Sequence, residues 1–237
     1  MQTEYASTTM TTARARQEAS TIFLAKVFNW MAMGLGLTGI IAWMTASSGL
    51  AKSIVASPVF MILIFVELGM VFYLSARINK IQSGTATGLF LGYAVLNGLT
   101  LSTIFLAYTT ASIGGTFLIT SGMFGAMAVY GTVTKRDLSG MGSFLFMGLI
   151  GIIIASVVNF FMQSSTLYWA ISFIGVLVFV GLTAYDVQKI KNMGEQGIME
   201  QGEDAIQKGA IIGALALYLD FINLFLMLLR FFGGSRD

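Results

Sequence analysis

ALALYLDFINLFLMLLR, residues Ala214–Arg230, decides how this chain is read. It is a membrane-length apolar run with one carboxylate, Asp220, in its middle. About 18–20 such residues cross a bilayer as a helix. A carboxylate at bilayer centre costs roughly 2.5–3.5 kcal/mol on insertion scales. Such a group persists by protonation, by pairing or by facing water, and each of these places it in a bundle interior.

The rest of the chain agrees with a membrane protein. Of 237 residues, 56% are hydrophobic and 10% charged, with a mean hydropathy of +0.82. A soluble domain carries roughly 25% charged residues. The fold class expected is an all-α integral membrane protein of seven transmembrane helices. The apolar segments are Phe23–Ser47, Pro58–Ala76, Thr87–Tyr108, Gly115–Val133, Gly142–Met162, Leu167–Val187 and Ala210–Leu229. Residues 1–22 are polar and Thr-rich, lack the apolar core of a signal peptide, and are read as a mobile cytosolic tail. Residues 23–230 form the membrane domain and 231–237 a short C-terminal tail. Gln188–Gly209 is charged and carries the last connecting loop, partly helical.

Net charge is +2, which suggests no nucleic-acid partner. The chain has no Cys and no His. That excludes thiolate and imidazole metal sites, CxxC redox chemistry and His-based triads. Proton sensing near neutrality would therefore fall to carboxylates. Lys and Arg placement sets orientation. With the N-terminus cytosolic, nine basic residues flank the inside ends (Arg14, Arg16, Arg77, Lys80, Lys135, Arg136, Lys189, Lys191, Lys208). Three flank the outside (Lys52, Arg230, Arg236), and Lys26 lies at the inner end of the first span.

Three of the eleven acids fall within spans: Glu67, Asp186 and Asp220. At 100° per residue, Gly213, Ala216, Asn223 and Met227 share the side of Asp220. This small and polar seam on an otherwise apolar helix suits the centre of a bundle. The matching face for Asp186 holds Ser172, Gly175, Phe179 and Thr183. Plainer readings stay open. Asp186 sits three residues before Lys189 and suits an interfacial ion pair. Glu67 suits a protonated packing residue, and Asp220 could also be purely structural. Gly84, Gly88 and Gly92 read as close helix packing. The acidic stretch EQGIMEQGED (Glu195–Asp204) lacks EF-hand spacing and reads as a solvated loop.

GLTAYDVQKIKNMGEQ (Gly181–Gln196), TKRDLSGMG (Thr134–Gly142) and LYLDFINLFLMLLRFFG (Leu217–Gly233) resemble the Bax-inhibitor family, the transmembrane Bax inhibitor motif proteins. Their bacterial inner-membrane YbhL/YccA-like branch is the nearest in character. The resemblance implies seven helices with the C-terminal one surrounded by the other six. It implies a pH-sensitive calcium leak channel with no cofactor, calcium being the permeant ion. It also implies a proton-sensing, hydrogen-bonded aspartate pair, at Asp186 and Asp220 here, able to ligate Ca²⁺ transiently. An arginine near the inner end of the second helix contacts that pair in the family, and Arg77 lies in that region. Glu67 resembles an intramembrane acidic position, and Asn223 is a further supporting candidate. The partners implied are the lipid bilayer, Ca²⁺, protons and a membrane protein.

The pair meets one difficulty. Counted from the basic flanks, Asp186 lies about 5 Å and Asp220 about 15 Å inside the cytosolic edge. Straight helices would leave a gap of roughly 10 Å. Tilt, a shifted boundary or a buried end of the sixth helix would close it. Other classes fit less well. Tyr185–Asp186 suits an intramembrane aspartyl protease, but Leu217–Asp220 is not GxGD and the only proline is Pro58. No enzyme is expected. An interaction protein restraining another membrane complex, such as a quality-control protease, is the main alternative. Proton-coupled transport is a weaker third.

Overall fold

The computed structural model describes residues 2–234, with side chains from residue 14 onward. Met1 and residues 235–237, including Arg236, lie outside the described residues.

Nine α-helices and one 3-10 turn make up the described chain: α1 (Gln2–Ser47), α2 (Leu50–Val55), α3 (Val59–Arg77), α4 (Ser83–Leu101), α5 (Ile104–Ala107), α6 (Thr110–Val133), α7 (Ser139–Met162), α8 (Ser165–Glu195), the turn Ile198–Glu200, and α9 (Glu203–Phe232). Seven spans are long and apolar enough to cross a membrane, α4 and α5 together forming the third.

The spans begin and end where the chain can satisfy its terminal backbone groups. Thr109 caps α6 by accepting the Ser112 N–H at 3.2 Å, and Ser164 caps α8 by accepting Leu167 N–H at 3.3 Å. Such caps replace the missing intrahelical partners. The third span breaks at Ser102 and Thr103. Their hydroxyls donate to the Leu99 and Thr100 carbonyls at 2.6 and 2.8 Å, which covers backbone acceptors where lipid offers no donor.

Two boundaries differ from the sequence-based expectation. Residues 1–22 are not separated from the first span: α1 runs on from Gln2 because no Gly or Pro interrupts the chain before Gly34. Ser20 is buried, and its hydroxyl donates to the Lys191 carbonyl at 3.0 Å. At 1.5 Å per residue, α1 is about 70 Å long against a hydrocarbon core of about 30 Å. The last connection is also shorter than Gln188–Gly209. α8 continues to Glu195 and α9 starts at Glu203. The turn between them uses Gly197 and Gly202, both at φ +88°, a conformation that favours glycine.

α9 is the centre. In its most apolar window 72% of residues are buried, against 11% for α3 and α7. It packs on α1, α4, α6 and α8. The expected ring of six neighbours is therefore incomplete: α3 packs mainly on α4 and α7 on α8, as outer flanks. The aromatic centre of the bundle is Tyr218, fully buried and edge-on to Phe90 and Tyr93.

Candidate functional site

α8 and α9 form a close antiparallel hairpin. Met193 lies against Gly209, Ile190 against Gly213 and Met227 against Gly175. In each pair one residue number falls as the other rises, which is the register of straight antiparallel helices. Asp186 and Asp220 fall within about one turn of that register, and their carboxyls lie within hydrogen-bonding reach of each other. The depth gap inferred from the basic flanks does not arise. Lys189, Lys191 and Lys208 sit within the helices, so they do not mark where the helices end.

Two carboxyl groups hydrogen-bond only when one of them carries a proton. Asp220 is 4% exposed, and its Oδ2 has no hydrogen-bond partner. Among the described residues no ion pair reaches either acid. Lys189 acts on Asp186 through charge but is exposed and forms no ion pair with it. The face of α8 read as polar, Ser172, Gly175, Phe179 and Thr183, is buried throughout.

The supporting candidates are placed differently. Arg77 is exposed in the last turn of α3 and forms no ion pair with the acids. The residues just past it, Ile78 and Asn79, line a cavity with Met193, Gly209 and Ile212 of α8 and α9. Asn223 donates back to the Leu219 carbonyl of its own helix at 2.8 Å and not to the acids. It belongs to the least buried stripe of α9, with Ile212, Ala216, Leu219, Leu226 and Arg230. At one end of that stripe, Ile212 lines a cavity of about 430 Å³ with Asn79, Gln196, Asp204 and Lys208. At the other end, Arg230 donates to Ser172 Oγ at 3.2 Å and stacks 4.5 Å from the Tyr168 ring centroid.

Just past Asp186, α8 is clamped. Gln188 donates to the Arg136 carbonyl and accepts from Leu138 N–H, both at 2.8 Å. Lys191 donates to the Thr132 carbonyl at 3.0 Å. The α6–α7 connection is thereby fixed to the helix carrying Asp186. On the same connection, hydrogen bonds from the Ser139 hydroxyl and backbone N–H hold the Asp137 carboxyl below its ordinary pKa.

Glu67 is placed away from the pair, on α3. It accepts from Asn97 Nδ2 at 3.2 Å and from Thr100 Oγ1 at 2.8 Å. Asn97 in turn accepts from the Tyr218 hydroxyl at 3.0 Å, and Tyr218 meets Thr38 Oγ1 at 2.7 Å. Sequence reasoning missed Asn97, Thr100, Tyr218, Thr38 and Gln188. The amide of Asn97 inside an apolar span was a usable signal. Gln188 was not, because its partners are backbone atoms about fifty residues away in sequence.

Fold and site together define a class: a polytopic helical membrane protein whose central C-terminal helix meets its neighbour through a buried carboxyl, Asp220, and a half-buried one, Asp186. A family model described as inhibitor of apoptosis-promoting Bax1 matches residues 21–237, and the chain belongs to that Bax-inhibitor family. It is 56% identical over 216 residues to the inner membrane protein YbhL of Escherichia coli K12, covering 90% of this chain and 92% of that one. A Borreliella burgdorferi protein is 49% identical over 217 residues, covering 91% and 93% of the two chains. A Rickettsia prowazekii protein is 45% identical over 238 residues, covering 99% of each.

Proposed function

We propose that this protein is a pH-sensitive cation leak channel, with Ca²⁺ as the permeant ion and the Asp186–Asp220 pair as the proton-sensing latch between α8 and α9. The observation that carries this reading is the pair itself: two carboxyls within hydrogen-bonding reach, neither of them in an ion pair, Lys189 acting on Asp186 through charge alone, and one orphaned oxygen. A shared proton ties the two helices together. When it leaves, two unit charges about 4 Å apart repel by about 4 kcal/mol at an effective dielectric constant near 20. That repulsion opens the seam to water. The ionised pair then offers carboxylate oxygens to a passing cation. Ca²⁺ prefers six to eight oxygen ligands, so two carboxylates suit weak transit better than storage.

The basic residues at the α8–α9 turn end favour a cytosolic N-terminus and turn, with the C-terminus outside. The membrane is taken to be the bacterial inner membrane, after the relative in Escherichia coli. The reading assigns no catalytic residue and no cofactor.

The test is Ca²⁺ entry into dye-loaded proteoliposomes at a series of pH values on either side of neutrality, comparing the native chain with Asp220→Asn. A flux that rises with pH in the native chain and loses that dependence in the variant supports the latch. Folded protein with flux no greater than that of empty liposomes sinks it. A second reading, a regulator that binds another membrane complex, draws on α1, which runs beyond bilayer length and exposes Arg14, Arg16 and Glu18. Deleting residues 1–18 separates the two: a channel keeps its leak, and a regulator acting through that arm loses its partner.

A further inference from the structure

We propose that Glu67 is a second proton-binding site, and that Asn97 turns its side-chain amide over to report the proton to Tyr218 on the central helix. The site is independent of the aspartate pair and does not rest on the channel reading.

Five contacts run in one chain through four helices. Thr100 Oγ1 meets Glu67 Oε1 at 2.8 Å, and Glu67 Oε2 meets the Asn97 amide at 3.2 Å. The other end of that amide meets the Tyr218 hydroxyl at 3.0 Å, Tyr218 meets Thr38 Oγ1 at 2.7 Å, and Thr38 meets the Ala94 carbonyl at 2.8 Å. Thr38, Asn97, Thr100 and Tyr218 are all buried, and Glu67 itself is half-buried. Helices α1 and α4 approach closely here: a Cβ on Gly98 would lie 2.9 Å from the Thr38 carbonyl oxygen.

Proton counting separates two states. With Glu67 ionised, Asn97 gives its N–H to the carboxylate and its oxygen accepts the Tyr218 proton. Tyr218 then has nothing to donate to Thr38. The single Thr38 proton serves either Tyr218 or Ala94, so one close oxygen–oxygen contact is left without hydrogen. With Glu67 protonated on Oε2, its O–H donates to the Asn97 oxygen, which requires the amide turned over. The two amide orientations have nearly the same shape. Asn97 N–H now donates to Tyr218, Tyr218 to Thr38 and Thr38 to Ala94, while Thr100 still donates to Oε1. Every contact holds one proton, and one proton has been taken up.

The charges around Glu67 leave the protonated state unopposed. Its facing titratable groups are Tyr93 on α4 and Tyr218 on α9. The charged residue of α2, Lys52, is exposed and forms no ion pair with it, α4 has no charged residue, and α1 contributes only the neutral Thr38. A carboxylate inside a bilayer without a cation is costly.

The test is infrared difference spectroscopy of the full chain in lipid nanodiscs, titrated from about pH 3 to about pH 9, bracketing the ordinary carboxylate range. Subtracting Glu67→Gln cancels the aspartate signals. The native chain is expected to show a protonated-carboxyl band absent from that variant, with a tyrosine C–O band that shifts over the same pH interval. That tyrosine band is expected to vanish in Tyr218→Phe. It should stay at its low-pH position at all pH in Glu67→Gln, whose amide N–H imitates the protonated acid. In Asn97→Leu the carboxyl should still titrate while the tyrosine band no longer follows. Absence of a titrating Glu67 band overturns the proposal. So does a Glu67→Gln chain, folded by circular dichroism, whose tyrosine band follows pH as in the native.

Discussion

α9 carries two polar regions, and they solve the problem of a buried acid differently. On one side Asp220 meets a second acid and keeps an orphaned oxygen. On another, Tyr218 reaches Glu67 through Asn97, and both Glu67 oxygens accept from neutral donors. Neutral donors accommodate a carboxyl group at modest cost. A second acid holds one only while a proton is shared, so its stability is conditional. The aspartate pair depends on a shared proton to stay together, whereas Glu67 keeps a neutral partner on each oxygen whether or not it holds a proton.

The largest expected effect is at the shared hub. Tyr218→Ala removes a fully buried aromatic packed on Phe90 and Tyr93. It should cost about 3–5 kcal/mol, read as loss of the folded monomer in detergent melts. A milder effect would show that the two sides of α9 are held independently of their common core. Next comes the contrast between the two acids. Glu67→Leu strands the Asn97 N–H and should destabilise by about 1–3 kcal/mol. Asp220→Asn can still hydrogen-bond Asp186 and should change stability by less than about 1 kcal/mol, while altering pH response. Equal losses in thermal melts would erase the distinction drawn above.

A smaller effect is expected at the clamp. Gln188→Ala leaves the Leu138 N–H and Arg136 carbonyl without their side-chain partner, worth about 1–2 kcal/mol. Proteolysis or hydrogen exchange should rise first in the α6–α7 connection, with Asp186 still in place. If exchange rises along the whole of α8 instead, the clamp is what positions the acid. The smallest effect is at Asp137, whose carboxyl is held below its ordinary pKa by Ser139. A lowered folded-state pKa gives stability above the unfolded value and loses it as pH falls through the folded one. Asp137→Asn should therefore narrow the difference in melting temperature between neutral and strongly acidic pH, without affecting the Glu67 or Asp220 signals.

Much of this was legible before any coordinates. Seven apolar runs gave seven spans, and Asp220 marked the central helix because one carboxylate in an apolar run must face inward. Where the structure departs from the expectation, the reasons differ. The α8–α9 boundary was set by charged residues, although long Lys and Gln side chains sit comfortably inside a helix that extends past the bilayer. Arg77 lay at the right helix end, but α3 turned out to be an outer flank, and no local pattern tells a flank from a core neighbour. Asn223 had the right helical angle, yet its amide was taken by its own backbone.

Sequence alone determined the class, the number of spans and which helix carries the buried acid, because each follows from the cost of charge and bare backbone in lipid. Tertiary structure alone decided which polar groups meet. The register of α8 against α9 joined Asp186 to Asp220, and the approach of α1, α3 and α4 to Tyr218 assembled the Glu67 network. Such contacts span up to 180 residues of chain, as between Thr38 and Tyr218. They are set by helix packing, which a one-dimensional pattern of hydrophobicity does not encode.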